Sequence, residues 1–162
     1  MAQDTIAVRL NGEDVEIEAA AHETLLEVLR KERLHGCRES CGQGVCGACT
    51  VLVDGRTVAS CILLAQLVDG REIETVEGLG VPGDLSPVQR AFVDEAGFQC
   101  GFCTPGMVVT ATALLRENPD PDDEDIGHYL AGNICRCGAY PEIRRAVRAA
   151  GEALREGADE HH

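Results

Sequence analysis

Cys41, Cys46, Cys49 and Cys61 follow one another as C-x4-C-x2-C-x11-C, and that spacing restricts the chain more than any other feature. Gly42, Gly44 and Gly47 fall between the first three cysteines. Glycine takes positive φ without steric cost, so the backbone here can curl closely around a small object. A curl of successive N–H groups forms a concave anion site. The spacing is that of the thiolate ligands of a plant-type [2Fe-2S] cluster, whose thiolate-bound core is anionic. A zinc site or a set of buried free thiols is the competing reading, and the glycine-rich loop argues against it.

Composition supports metal over disulfides. The chain has nine cysteines, an odd number. Its start, Met1-Ala2-Gln3-Asp4, lacks the basic and then apolar pattern of a secretory signal, so a cytoplasmic protein with reduced thiols is expected. Aromatic residues make up only 3% and Trp is absent. Two small halves with cores of Ala, Val, Leu and Ile would then draw folding energy from bound metal. The net charge of −14 argues against a nucleic-acid partner. No apolar run approaches the roughly 18 residues of a membrane span. His161 and His162, native or a tag remnant, carry no weight.

Residues 5–10 and 15–18 alternate apolar and polar around Asn11-Gly12, which predicts a β-hairpin. Leu25, Leu26, Leu29 and Leu34 recur at helical spacing, predicting a helix over 23–34 ended by Gly36. A second hairpin is expected over 50–60 with Asp54-Gly55 at its turn, then an apolar segment to Val68, helical or irregular, and a last strand over 72–76. Gly78, Gly80, Pro82 and Gly83 read as a linker. Beyond it the pattern is helical. Ser86-Pro87 and Thr104-Pro105 each place an N-cap before a proline, predicting helices to about Ala96 and Glu117. A third helix is expected over 122–131, opening on four acids, and a fourth from Tyr140 to about Glu156.

The helical half carries a second set: Cys100 and Cys103 as C-x2-C, Cys135 and Cys137 as C-x-C. Both pairs lie in loops next to predicted helix N-termini, where free N–H groups and the dipole favour thiolates. Spacing alone leaves zinc or [2Fe-2S] open for this set.

Three stretches together resemble one family. They are Glu39-Ser40-Cys41-Gly42-Gln43-Gly44-Val45-Cys46-Gly47-Ala48-Cys49-Thr50-Val51, Gln99-Cys100-Gly101-Phe102-Cys103-Thr104-Pro105-Gly106, and Gly132-Asn133-Ile134-Cys135-Arg136-Cys137. In this order they resemble the small iron–sulfur subunit of the xanthine oxidase, or molybdenum hydroxylase, family, over residues 4 to 150. The resemblance implies an α+β fold: an N-terminal β-grasp, ferredoxin-like domain over 1–77, a linker over 78–86 and a C-terminal four-helix bundle over 87–162.

It also implies two [2Fe-2S] clusters, one held by Cys41, Cys46, Cys49 and Cys61 with Gly42, Gly44 and Gly47 shaping its loop, the other by Cys100, Cys103, Cys135 and Cys137. Single electrons would pass from a molybdopterin centre in a large subunit, through the helical-half cluster and then the ferredoxin-type cluster, to FAD in a medium subunit. Gln99 and Cys137 would approach the pterin. A dimer of such heterotrimers is expected. The alternatives are a flavin-free heterodimer donating to a cytochrome or another acceptor, and a zinc-binding interaction module. No catalysis is expected from this chain alone, which shows no nucleophile–base pair, phosphate loop or dinucleotide fingerprint. Its histidines show no ligand pattern.

Two stretches depart from the family pattern. Gly138-Ala139-Tyr140 stands where Thr-Gly-Tyr is common, and Cys37 where Thr is common. Cys37 reads as a small buried residue or spare thiol rather than an alternate ligand. Replacing it by Ser is therefore expected to leave the iron content per chain unchanged, measured by metal analysis; loss of one cluster's iron would make it a ligand.

Overall fold

In the computed structural model, which describes residues 4–159, the fold is α+β, a mixed five-stranded sheet with five α-helices. His161 and His162 lie outside the described residues. Strands β1 (Asp4–Leu10) and β2 (Glu13–Ala19) pair antiparallel, with Ile6 opposite Ile17 and Val8 opposite Val15. Asn11 and Gly12 both take positive φ, 50° and 87°, which matches the turn twist to the strand twist. Strands β3 (Thr50–Val53) and β4 (Arg56–Ala59) repeat the device at Asp54-Gly55. Strand β5 (Glu72–Glu74) lies between β1 and β3, parallel to the first and antiparallel to the second.

Helix α1 (Leu25–Lys31) buries Leu25, Leu26, Val28 and Leu29 on this sheet, against Ile6, Val51 and Ile73. It is shorter than the periodicity predicts. Thr24 caps its start in a reciprocal box with Glu27. Its end comes at Arg33, at φ 64°, where the Leu34 N–H returns to the Leu29 carbonyl and the Arg33 N–H to Arg30. That is the Schellman geometry glycine usually serves, here adopted by arginine. Gly36 is not the stop. It lies against Val76 and donates to the Glu77 carboxylate at 2.7 Å.

After β4 the chain is irregular until a 3₁₀ turn over Ala65–Val68. Beyond β5, a second 3₁₀ turn (Val76–Gly78) replaces the expected end of the last strand. Helix α2 (Pro87–Asp94) starts with the Ser86–Gln89 capping box and stops before its expected end, because Ala96 turns left-handed at φ 50°. Helices α3 (Thr104–Glu117), α4 (Asp123–Tyr129) and α5 (Tyr140–Asp159) follow. Asp122 caps α4, accepting from the Glu124 and Asp125 N–H groups at 2.8 Å.

Helix α3 is the centre of the molecule. Every residue from Gly106 to Leu115 is buried, as expected of a helix that is apolar on all sides. One face joins Phe92 of α2 and Ile143, Ala146 and Val147 of α5 through Met107, Val108 and Leu114. The other face lies on the sheet, where Val109 and Ala113 pack on Leu52 of β3. Arg116 then ties the end of α3 to β5 through two hydrogen bonds to Glu74, at 2.7 and 2.8 Å. No helix among the described residues is long and apolar enough to cross a membrane.

Because Leu52 is fully buried between the sheet and α3, Leu52→Ala is expected to cost about 2–5 kcal/mol, read from the denaturant midpoint of unfolding.

Candidate metal centres

The first cysteine loop is irregular backbone between α1 and β3, with Gly42, Gly44 and Gly47 at φ 63°, 72° and 68°. Those angles turn N–H groups inward. Gln43 and Cys46 each donate to the Cys41 sulfur at 3.4 Å, and Gly44 donates to the Cys61 sulfur at 3.3 Å. Donation from the Gln43 N–H, and then from those of Cys46 and Val45, brings the Cys41 thiol down to about 6. Burial, and next the neighbouring Cys49 thiol, push Cys61 up to about 11. Among the thiols, Cys46 acts most on Cys41 and Cys49 most on Cys61.

The second set lies in two loops, Cys100 and Cys103 between α2 and α3, Cys135 and Cys137 between α4 and α5. Again one thiol acts most on another, Cys137 on Cys100 and Cys135 on Cys103. The outer pair is exposed and the inner pair buried. The Phe102 N–H, followed by the Cys137 thiol, lowers Cys100. Burial, and then Cys135, raise Cys103 to about 12. Burial also opposes the Cys135 thiolate, but the Ala139 N–H, the Cys103 thiol and the Cys137 and Gly138 N–H groups outweigh it, so its value falls. Helix α3 starts one residue earlier than predicted, with Cys103 rather than Thr104 at its N-cap.

The donor sets fit a dinuclear cluster. Each iron of a [2Fe-2S] centre takes two cysteines, so two adjacent pairs are what it needs. A single zinc needs all four ligands at one point. Thr104 adds a further sign. Its hydroxyl, next to Cys103 in sequence, is buried without a hydrogen-bond partner, as suits an atom facing a bound group.

Gln99 is exposed beside Cys100, and Cys137 is exposed as well. Cys37 is apart from both sets of pairs. It is buried in the sheet-side core with Cys49, and burial pushes its thiol up to about 12.

The two loops touch. The Ile134 N–H, one residue before Cys135, donates to the Cys46 carbonyl at 2.9 Å. The buried Asn133 amide donates to the Gly47 carbonyl at 3.0 Å and accepts from the Thr110 hydroxyl at 3.0 Å. Thr50 also donates to the Gly47 carbonyl, from its hydroxyl at 2.8 Å and its N–H at 3.2 Å. Gly106 on α3 packs so closely that a Cβ there would overlap that same oxygen. Neither Asn133 nor Arg38, whose guanidinium reaches the second loop, is marked by spacing or periodicity. Their partners are remote in sequence, and the cue for Asn133 is its place just before the cysteine pair, inside one of the stretches that carry the family resemblance.

Asn133→Ala leaves the Gly47 carbonyl and the Thr110 hydroxyl each short of one partner in a buried site. It is expected to cost about 1–3 kcal/mol, measured by chemical denaturation of the loaded protein.

The 2Fe-2S iron-sulfur cluster binding domain family matches residues 8–79, and the [2Fe-2S] binding domain family matches residues 75–148. A nicotinate dehydrogenase subunit from Pseudomonas putida is 47% identical over 155 residues, covering 95% of this chain and 99% of its own. The solved structure of quinoline 2-oxidoreductase from Pseudomonas putida 86 is 39% identical with a TM-score of 0.90, covering 96% of this chain and 98% of the matched one. Aldehyde oxidoreductase from Desulfovibrio gigas is 38% identical with a TM-score of 0.91, covering 95% of this chain but only 17% of that longer polypeptide. This chain belongs to the small iron–sulfur subunits of the molybdenum hydroxylase, or xanthine oxidase, family of oxidoreductase complexes.

Proposed function

We propose that the chain is the electron-transfer subunit of a molybdenum hydroxylase. Cys41, Cys46, Cys49 and Cys61 would hold one [2Fe-2S] cluster and Cys100, Cys103, Cys135 and Cys137 a second. When bound, these clusters supply reversible one-electron chemistry linking FAD in a medium subunit to the molybdopterin centre of a large subunit. The observation that carries this reading is the direct contact of the two thiol-bearing loops, through the Cys46 carbonyl and the Ile134 N–H.

The chain's own part is to hold, orient and shield. Backbone N–H groups stabilise thiolates in both loops. The buried Cys103 and Cys135 face the interior, while Cys137 and Gln99 are open to a partner. Phe98, Phe102 and Ile134 are exposed close in sequence to the second set, and Val45 and Ile62 next to the first. Apolar side chains in those places suit docking of a large subunit on one side and a medium subunit on the other. The reading divides the chain into a ferredoxin-like domain over 1–77, a linker over 78–86 and a helical domain over 87–162 with its helices as a four-helix bundle. It also includes a dimer of heterotrimers in the cytoplasm, where thiols stay reduced.

Native purification through this chain is expected to bring down a protein with a flavin spectrum together with a molybdenum-containing large subunit. Recovery of molybdenum but no flavin would replace the FAD partner by another acceptor; recovery with no molybdenum would overturn the reading. In the complex, Gln99→Ala is expected to leave the iron content intact while slowing cluster reduction by substrate by roughly 10-fold or more, the scale on which outer contacts tune metal sites. An unchanged rate would remove Gln99 from the pterin contact.

A further inference from the structure

Arg38 belongs to the first loop by sequence and to the second by contact. Its N–H donates to the Ala48 carbonyl at 3.2 Å, which fixes its backbone beside the ferredoxin-type cysteines. Its side chain leaves that loop. The Nη1 donates to the Gly101 carbonyl at 2.7 Å, and the guanidinium carbon lies 5.4 Å from the centroid of the Phe102 ring. The charge is thus clamped twice on the turn between Cys100 and Cys103, by a charged hydrogen bond and by a cation–π contact. It is half-buried. Arg136, between Cys135 and Cys137, is exposed instead, so its charge is screened by water and salt.

A cluster that gains an electron gains a unit of negative charge. A fixed cation nearby, partly removed from water, stabilises the reduced form and raises the potential. We infer that Arg38, supplied by the ferredoxin-like half, sets the potential of the cluster held by Cys100, Cys103, Cys135 and Cys137, keeping it higher than the helical half would by itself. The inference rests on the two-cluster reading above. The helical-half cluster is thereby made a better acceptor by a cation that comes from the other half of the chain.

The test is a potentiometric titration of the purified complex with dithionite, following each cluster by EPR, for the unaltered protein, Arg38→Gln and Arg38→Lys. Gln keeps an N–H donor for Gly101 without the charge; Lys keeps the charge without the fork. In Arg38→Gln, the helical-half cluster is expected to show about a tenfold lower ratio of reduced to oxidised form at fixed potential, a shift of about 59 mV for a one-electron couple. Arg38→Lys is expected to restore most of it, and the ferredoxin-type cluster to move less. An unmoved helical-half potential in Arg38→Gln, equal shifts in the Gln and Lys variants, or loss of the helical-half signal in Arg38→Gln would each overturn the inference while leaving the two-cluster reading in place. A single cluster signal in the unaltered complex would overturn that reading and the inference together.

Discussion

The structure depends on one close approach, the Gly47 carbonyl against Asn133, Thr50 and Gly106. Gly47 is bent to positive φ and turns its oxygen toward the helical half. Gly106 has no side chain to keep α3 away, and Asn133 fills the remaining corner with a donor for Gly47 and an acceptor for Thr110. Buried polar groups of this kind are costly when unpaired and rigid when paired. The result is that two loops far apart in sequence are held at hydrogen-bond distance, and neither can move without breaking a buried contact. The apolar packing of Leu52 on Val109 and Ala113 supplies the broad surface behind this lock.

A chain with a net charge of −14 is a poor place for the candidate ligand cysteines to ionise. The local answer is mostly backbone. In the first loop the positive-φ glycines aim N–H groups at sulfur, and the largest cause of the lowering at Cys41 is the Gln43 N–H. In the second loop the same role falls to the N–H groups of Phe102 and Ala139. Backbone dipoles do this without the mobility or hydration of a lysine. Arg38 is the exception, a full charge held in place by a carbonyl and an aromatic ring. The exposed and buried members of the second set then give it an outward pair and an inward pair.

Much of this is legible in the residues, and the departures have a common cause. Hairpins at Asn11-Gly12 and Asp54-Gly55 follow from local turn chemistry and occur as expected. The caps at Ser86 and Asp122 likewise need only nearby partners. Helix ends differ from expectation where a residue other than glycine takes the left-handed conformation, Arg33 after α1 and Ala96 after α2. Gly36 reads as a stop because glycine often is one, but its small size serves a contact with Val76, a residue of the 3₁₀ turn after β5. The cysteine spacings mark the candidate ligand sets. Nothing in spacing reveals Asn133 or Arg38, because their meaning comes from partners that only tertiary structure brings near.

The central claim is that each cysteine quartet holds a two-iron cluster. Chemical analysis of the anaerobically purified chain tests it most directly. Iron and acid-labile sulfide are expected in equal amounts, roughly four of each per chain at two per cluster. Stoichiometric zinc without labile sulfide would contradict it.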